Sequence, residues 1–110
     1  MNYLEIKVKE LFEQVLRGEK RVPRISKNEK WYNKFGGTYR CDSLVFSESL
    51  IIQFINNSIH ILIEINELEN ERVAIENNKE LVRLFREVFK YSEDIKNDKW
   101  LIDKVFGEIK

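Results

Sequence analysis

TYRCDSLVFSESLIIQFINNSIHILIEIN, residues 38–66, decides the fold. Three runs within it, 38–46, 49–56 and 58–66, are rich in β-branched and aromatic residues, and Asn56-Asn57-Ser58 joins the last two with residues that tolerate a positive φ. The pattern predicts a hairpin with a strand before it. In the last run Ile59, Ile61, Ile63 and Ile65 share one face while His60, Leu62 and Glu64 share the other, so one face is a core face. The middle run is apolar on both sides, with Leu50, Ile52 and Phe54 opposite Ile51 and Ile55, as expected of a strand inside a sheet or covered on both faces.

Toward the C-terminus, the acidic segment Glu67–Glu71 reads as a turn and Arg72-Val73-Ala74-Ile75 as a further short strand. Asn77 with Glu80 three residues on has the spacing of a capping box, and Leu81, Leu84, Phe85, Val88 and Phe89 carry a helix to about Tyr91. Ser92, followed by Glu93 and Asp94, reads as the start of a third helix whose apolar positions are Ile95, Ile102, Val105, Phe106 and Ile109. Toward the N-terminus, residues 18–38 keep no sustained period and are punctuated by Pro23 and Gly36-Gly37, which predicts a long basic aromatic arm with one short strand near Arg21 to Ile25. Before the arm, Leu4, Val8, Leu11, Phe12, Val15 and Leu16 form the stripe of an amphipathic helix over 3–17, with Gly18 at its C-terminal cap. The expected fold is one α+β domain over 1–110: an N-terminal helix, a three- to four-stranded antiparallel β-meander and two C-terminal helices. Leu11, Phe12, Leu84, Phe85 and Phe89 should pack on the Ile59/Ile61/Ile63 face.

Composition narrows the chemistry. A single cysteine, Cys41, leaves no intramolecular disulfide and no cysteine-based zinc or iron–sulfur site, and a single histidine, His60, leaves no histidine-based metal site or paired-histidine acid–base mechanism. Gly36-Gly37 lacks the distal Gly-Lys-Ser/Thr of a phosphate-binding loop, and Glu67–Glu71 lacks the ligand spacing and central glycine of a calcium loop. No catalytic residue, metal or cofactor is expected. The strongest apolar segments are interrupted by Gln53, Asn56, His60 and Glu64, so no membrane span is expected, and the cysteine usage together with the absence of a basic, then apolar, leader points to the cytoplasm.

The chain has 19 basic and 19 acidic residues, yet residues 17–40 are locally basic and residues 41–80 locally acidic. In the arm, Trp31, Tyr32, Phe35 and Tyr39 interleave with basic side chains. Desolvated Trp and Arg are the usual anchors of protein contacts, whereas aromatic rings among phosphate-neutralising cations also suit single-stranded nucleic acid. The candidate partner-binding residues are Arg21, Arg24, Lys27, Lys30, Trp31, Lys34, Phe35 and Arg40, with a secondary acidic surface at Glu64, Glu67, Glu69 and Glu71. The expected function is a small non-enzymatic inhibitor, immunity or adaptor protein that binds a protein partner; the alternative is a nucleic-acid-binding module using the arm. The doubly apolar middle strand also allows a homodimer.

The order of helix, β-meander and two helices resembles the layout of several phage-encoded inhibitors, anti-CRISPR proteins among them, and element order alone carries the likeness. It implies a protein that occludes a site on a host protein. The abundance of Asn, Ile and Lys, a bias that AT-rich coding produces, points the same way, to an AT-rich bacterium or its phage.

Overall fold

The computed structural model describes residues 2–33, 35–66 and 69–107, excluding the side chains of Glu69 and of 97–107. It is an α+β fold in which helix α1 (Tyr3–Leu16) precedes strands β1 (Arg24–Tyr32), β2 (Thr38–Ser47), β3 (Leu50–Ile55), β4 (Ser58–Asn66) and β5 (Glu69–Ile75), and helix α2 (Lys79–Gly107) closes the chain. The strands form one antiparallel sheet in the order β1-β2-β3-β4-β5, so every neighbour in the sheet is also a neighbour in sequence.

Local chemistry sets the boundaries. Asn2 caps α1 by accepting from the Glu5 N–H at 2.9 Å. At the other end Gly18 takes φ +77, while Glu19 N–H donates to Gln14 O at 2.9 Å and Gly18 N–H to Val15 O at 3.0 Å. These bonds satisfy carbonyls that the helix itself leaves open. Asn56 and Asn57 both adopt left-handed φ, 49° and 65°, giving the tight β3–β4 hairpin anticipated for them.

Both helices cover one face of the sheet. Val8, Phe12 and Val15 of α1 and Leu81, Leu84, Phe85 and Val88 of α2 are buried with Leu44, Ile52, Ile59, Ile61 and Ile75. Phe85 sits at the centre of an aromatic cluster, edge-on to Phe12 at 6.3 Å and beside Phe54 and Phe89 at 5.9 and 6.2 Å. The expected core residues are all in this layer, with Leu11, Ile63 and Phe89 partly buried at its margin.

Three expectations need correction. The sheet has five strands, because the middle of the supposed arm is β1: residues 24–32 pair with β2, which leaves a lead-in before Arg24 and a short connection closed by Asn33 and Gly37. Alternation in β1 is hidden by a bulge between Ser26 and Glu29, where Asn28 takes φ 50. The expected acidic turn Glu67–Glu71 does not hold over its second half, since Glu69 and Glu71 belong to β5; residues 67–68 lie outside the described residues. Finally, the C-terminal region is one continuous helix. Its cap is Asn78, which accepts from Leu81 N–H at 3.0 Å, while Asn77 supplies the left-handed residue before it (φ 57). Ser92 is buried inside that helix. The proposed apolar positions Ile102, Val105, Phe106 and Ile109 lie outside the described side chains.

Candidate functional site

Strand alternation divides the predicted site. Trp31 pairs with Tyr39 and Lys30 with Arg40 in the β1–β2 register, so the aromatic pair and the basic pair project from opposite faces. Trp31 and Tyr39 lie on the face away from the helices. Lys30 and Arg40 lie on the other side, where the Lys30 ammonium stands 5.7 Å from the Tyr32 ring centre and Arg40 Nη1 donates to Asn28 O at 3.1 Å. Arg24 shares the helix-free face through its pairing with Val45, whereas Arg21 and Lys27 are exposed in the lead-in and in the bulge. Phe35, 85% exposed, caps the hairpin tip. Lys34 and Glu67 lie outside the described residues, and only the backbone of Glu69 is described.

The turn that presents Phe35 is well specified. Asn33 Oδ1 accepts from both the Phe35 and Gly37 N–H groups at 2.9 Å, and Asn33 N–H donates to Gly37 O at 2.8 Å. Gly36 supplies the required positive φ of 83°.

On the helix-free face the sheet forms a groove of about 1090 Å³. Its floor is Ile51, Ile55, His60 and Leu62 from β3 and β4; Tyr32, Phe35 and Tyr39 stand at the hairpin end, Glu48, Glu64 and Glu71 toward the opposite end, and the Arg72 side chain reaches across from β5 to Tyr39. Twist brings distant corners of the sheet together across this floor. Arg72 Nη2 donates to the Tyr39 hydroxyl at 2.6 Å, its guanidinium lies 5.2 Å from the Tyr39 ring centre, and the hydroxyl in turn donates to Gln53 Oε1 at 3.0 Å. This strap joins β2 to β5 over a fully buried Gln53.

His60 lies beneath the strap, with Nδ1 3.5 Å from Arg72 Nη1. Burial first, and then the Arg72 charge, push its pKa below the ordinary 6.5, with Glu76 opposing. Neutral His60 can accept from Arg72. Cys41 is buried on the same face at 3.5 Å from the Ser43 hydroxyl, and burial raises its thiol pKa, which leaves it a poor nucleophile. Among the described residues no cluster of three or more His, Cys, Asp or Glu side chains could hold a metal ion.

Four buried side-chain polar atoms lack a hydrogen-bond partner among the described residues: Ser26 Oγ, Trp31 Nε1, Gln53 Nε2 and Ser92 Oγ. Three of the four belong to the helix-free face, since Ser26, Ser43 and Gln53 form one cross-strand row and Trp31 lies in the same set. Ile51, Gln53, Leu62 and Arg72 were not among the candidate binding residues read from the sequence, and Tyr39 was read only as one of the aromatics of the arm. The signal for them was the second apolar side of β3, because a strand apolar on both sides in a sheet with helices on only one has a face to explain. No helix among the described residues is long and apolar enough to cross a membrane. Compared with protein-family models, with curated proteins and with solved structures, the chain matches none of them.

Proposed function

We propose that this is a non-enzymatic binding protein of the inhibitor, immunity or adaptor type, and that it grips a protein partner with the helix-free face of its sheet. The observation that carries this reading is the groove itself: a concave, largely apolar floor that no described element covers, with aromatic side chains at one end and carboxylates at the other. Trp31 and Tyr39, which belong to this face, are the residue types that anchor desolvated contacts. The basic residues of β1 and β2 become peripheral, because Lys30 and Arg40 point away from Trp31 and Tyr39, and of the arm's described aromatic rings only Tyr32 stands beside Lys30, too few for a stacking nucleic-acid platform.

The test is affinity capture from a lysate of the source cell with four proteins: wild type, Ile51→Asp, Leu62→Asp and the double variant Lys30→Glu/Arg40→Glu. Partner recovery should be lost in the two groove variants and kept in the charge-reversed one, with folding checked by circular dichroism. The opposite pattern would overturn the reading in favour of the basic side of the hairpin.

A further inference from the structure

We infer that the occupant of the groove is an amphipathic α-helix of a partner protein, with an apolar stripe facing the sheet and basic residues beside it; this rests on the binding-face reading above. Two independent features lead there. The first is backbone accounting. The floor is made of β3 and β4, interior strands that are paired on both sides along their length. Their N–H and C=O groups are already used, so an extended segment lying across them would bury its own backbone without partners. A helix brings its backbone bonds with it and presents only side chains. Its apolar stripe would settle on Ile51, Ile55 and Leu62, much as the chain's own helices settle on the other face.

The second feature is charge. Glu48 and Glu64 line the end of the groove remote from the hairpin tip, and Glu71, in register with Ile63, borders that end from the edge strand β5; all three are exposed, and none forms an ion pair with a described residue. Among the described residues of the lining the one Lys or Arg is Arg72, which is folded back onto Tyr39, and burial together with Arg72 disfavours the charged form of His60. The groove therefore offers net negative potential next to an apolar floor, which selects a basic flank on the incoming helix and repels an acidic one.

The experiment uses the full chain and three labelled 18-residue peptides with the same leucine stripe, whose polar positions are Lys, Gln or Glu, read by fluorescence anisotropy at low and physiological salt. The Lys peptide should bind about tenfold or more tightly than the Glu peptide, as three rim contacts of ordinary strength would give. That preference should vanish in the Glu48→Gln/Glu64→Gln/Glu71→Gln variant, which alters only exposed residues, and Ile51→Asp should weaken binding of all three peptides. A Lys peptide interrupted by central prolines should bind far more weakly. Equal binding of the Lys and Glu peptides, undiminished binding of the proline-interrupted one, or a second copy of the chain filling the groove, seen as dimers that Ile51→Asp dissociates, would each overturn the proposal. If the peptides fail while Ile51→Asp still abolishes partner capture, the binding face stands and only the helix proposal falls. If capture survives Ile51→Asp, both fall.

Discussion

His60 couples the helix-free face to pH. Its pKa in the folded protein lies below the ordinary 6.5, first through burial and then through Arg72, so below about pH 6.5 the unfolded chain binds a proton that the folded chain refuses. The stability that neutral His60 preserves is present in full above that value. It falls as pH drops from about 6.5 toward the lowered native pKa, and then levels off. Urea denaturation at several pH values should show this slope, and His60→Gln should flatten it. Arg72→Gln should raise the His60 pKa in an NMR titration, because it removes the second of the two depressing causes. On the other face, Phe85→Ala should cost about 3 to 5 kcal/mol and Ile61→Ala about 2 to 5, since both leave cavities in a layer sealed by α1 and α2. These core residues were legible because a single period governs each: four isoleucines at i+2 in β4, and Leu and Phe at i+3 and i+4 in α2.

Elements were legible where one rule dominated, and less so where two competed. In β4 and the Asn56-Asn57 hairpin, pattern and turn chemistry agree. In β1 they do not: RISKNEKWY has few apolar residues, and the left-handed Asn28 shifts the alternation halfway along, so an edge strand reads as a loop. At the start of α2, two adjacent asparagines each suit a cap, and only the geometry separates them. Asn78→Ala should cost about 1 kcal/mol in thermal or urea unfolding, the usual value for a lost side-chain cap. Asn77→Gly should be neutral or stabilising by a few tenths, roughly, because position 77 needs only a residue that accepts positive φ. Ser92 misled in the other direction. An oxygen followed by two acids resembles a helix start, but no Pro or Gly interrupts the chain between Lys79 and Phe106, so nothing stops the helix already under way.

Across the whole molecule, the 29-residue α2, about 43 Å long at 1.5 Å per residue, sets the shape. Extents of 50 × 32 × 26 Å and a radius of gyration of 15.6 Å follow, against roughly 13 Å for a compact chain of this length. Small-angle scattering of the monomer should return that elongation. The candidate site was the least legible level. Charge along the sequence suggested a basic end and an acidic end, yet strands turn neighbouring residues outward in alternation, so the basic stretch is dispersed over two faces. The groove is instead assembled from β2, β3, β4 and β5, whose contributing residues share no local signature. Tyr39 and Arg72, 33 positions apart, meet only because the sheet twists.

Gln53 adds a consequence for how this chain would respond to selection. A fully buried amide in the central strand, bonded through its oxygen but with its NH2 unanswered, is a liability that any leucine could remove. Replacing the pair together, Gln53→Leu with Tyr39→Phe, should give a protein at least as resistant to urea as the wild type, because both ends of the hydrogen bond disappear at once. A laboratory lineage chosen only for heat tolerance should therefore drift toward an oily centre at position 53 and lose the strap with it. A lineage that must also keep the proposed binding function should hold the amide, and sequencing the survivors of the two regimes would separate what this residue does for endurance from what the helix-free face requires of it.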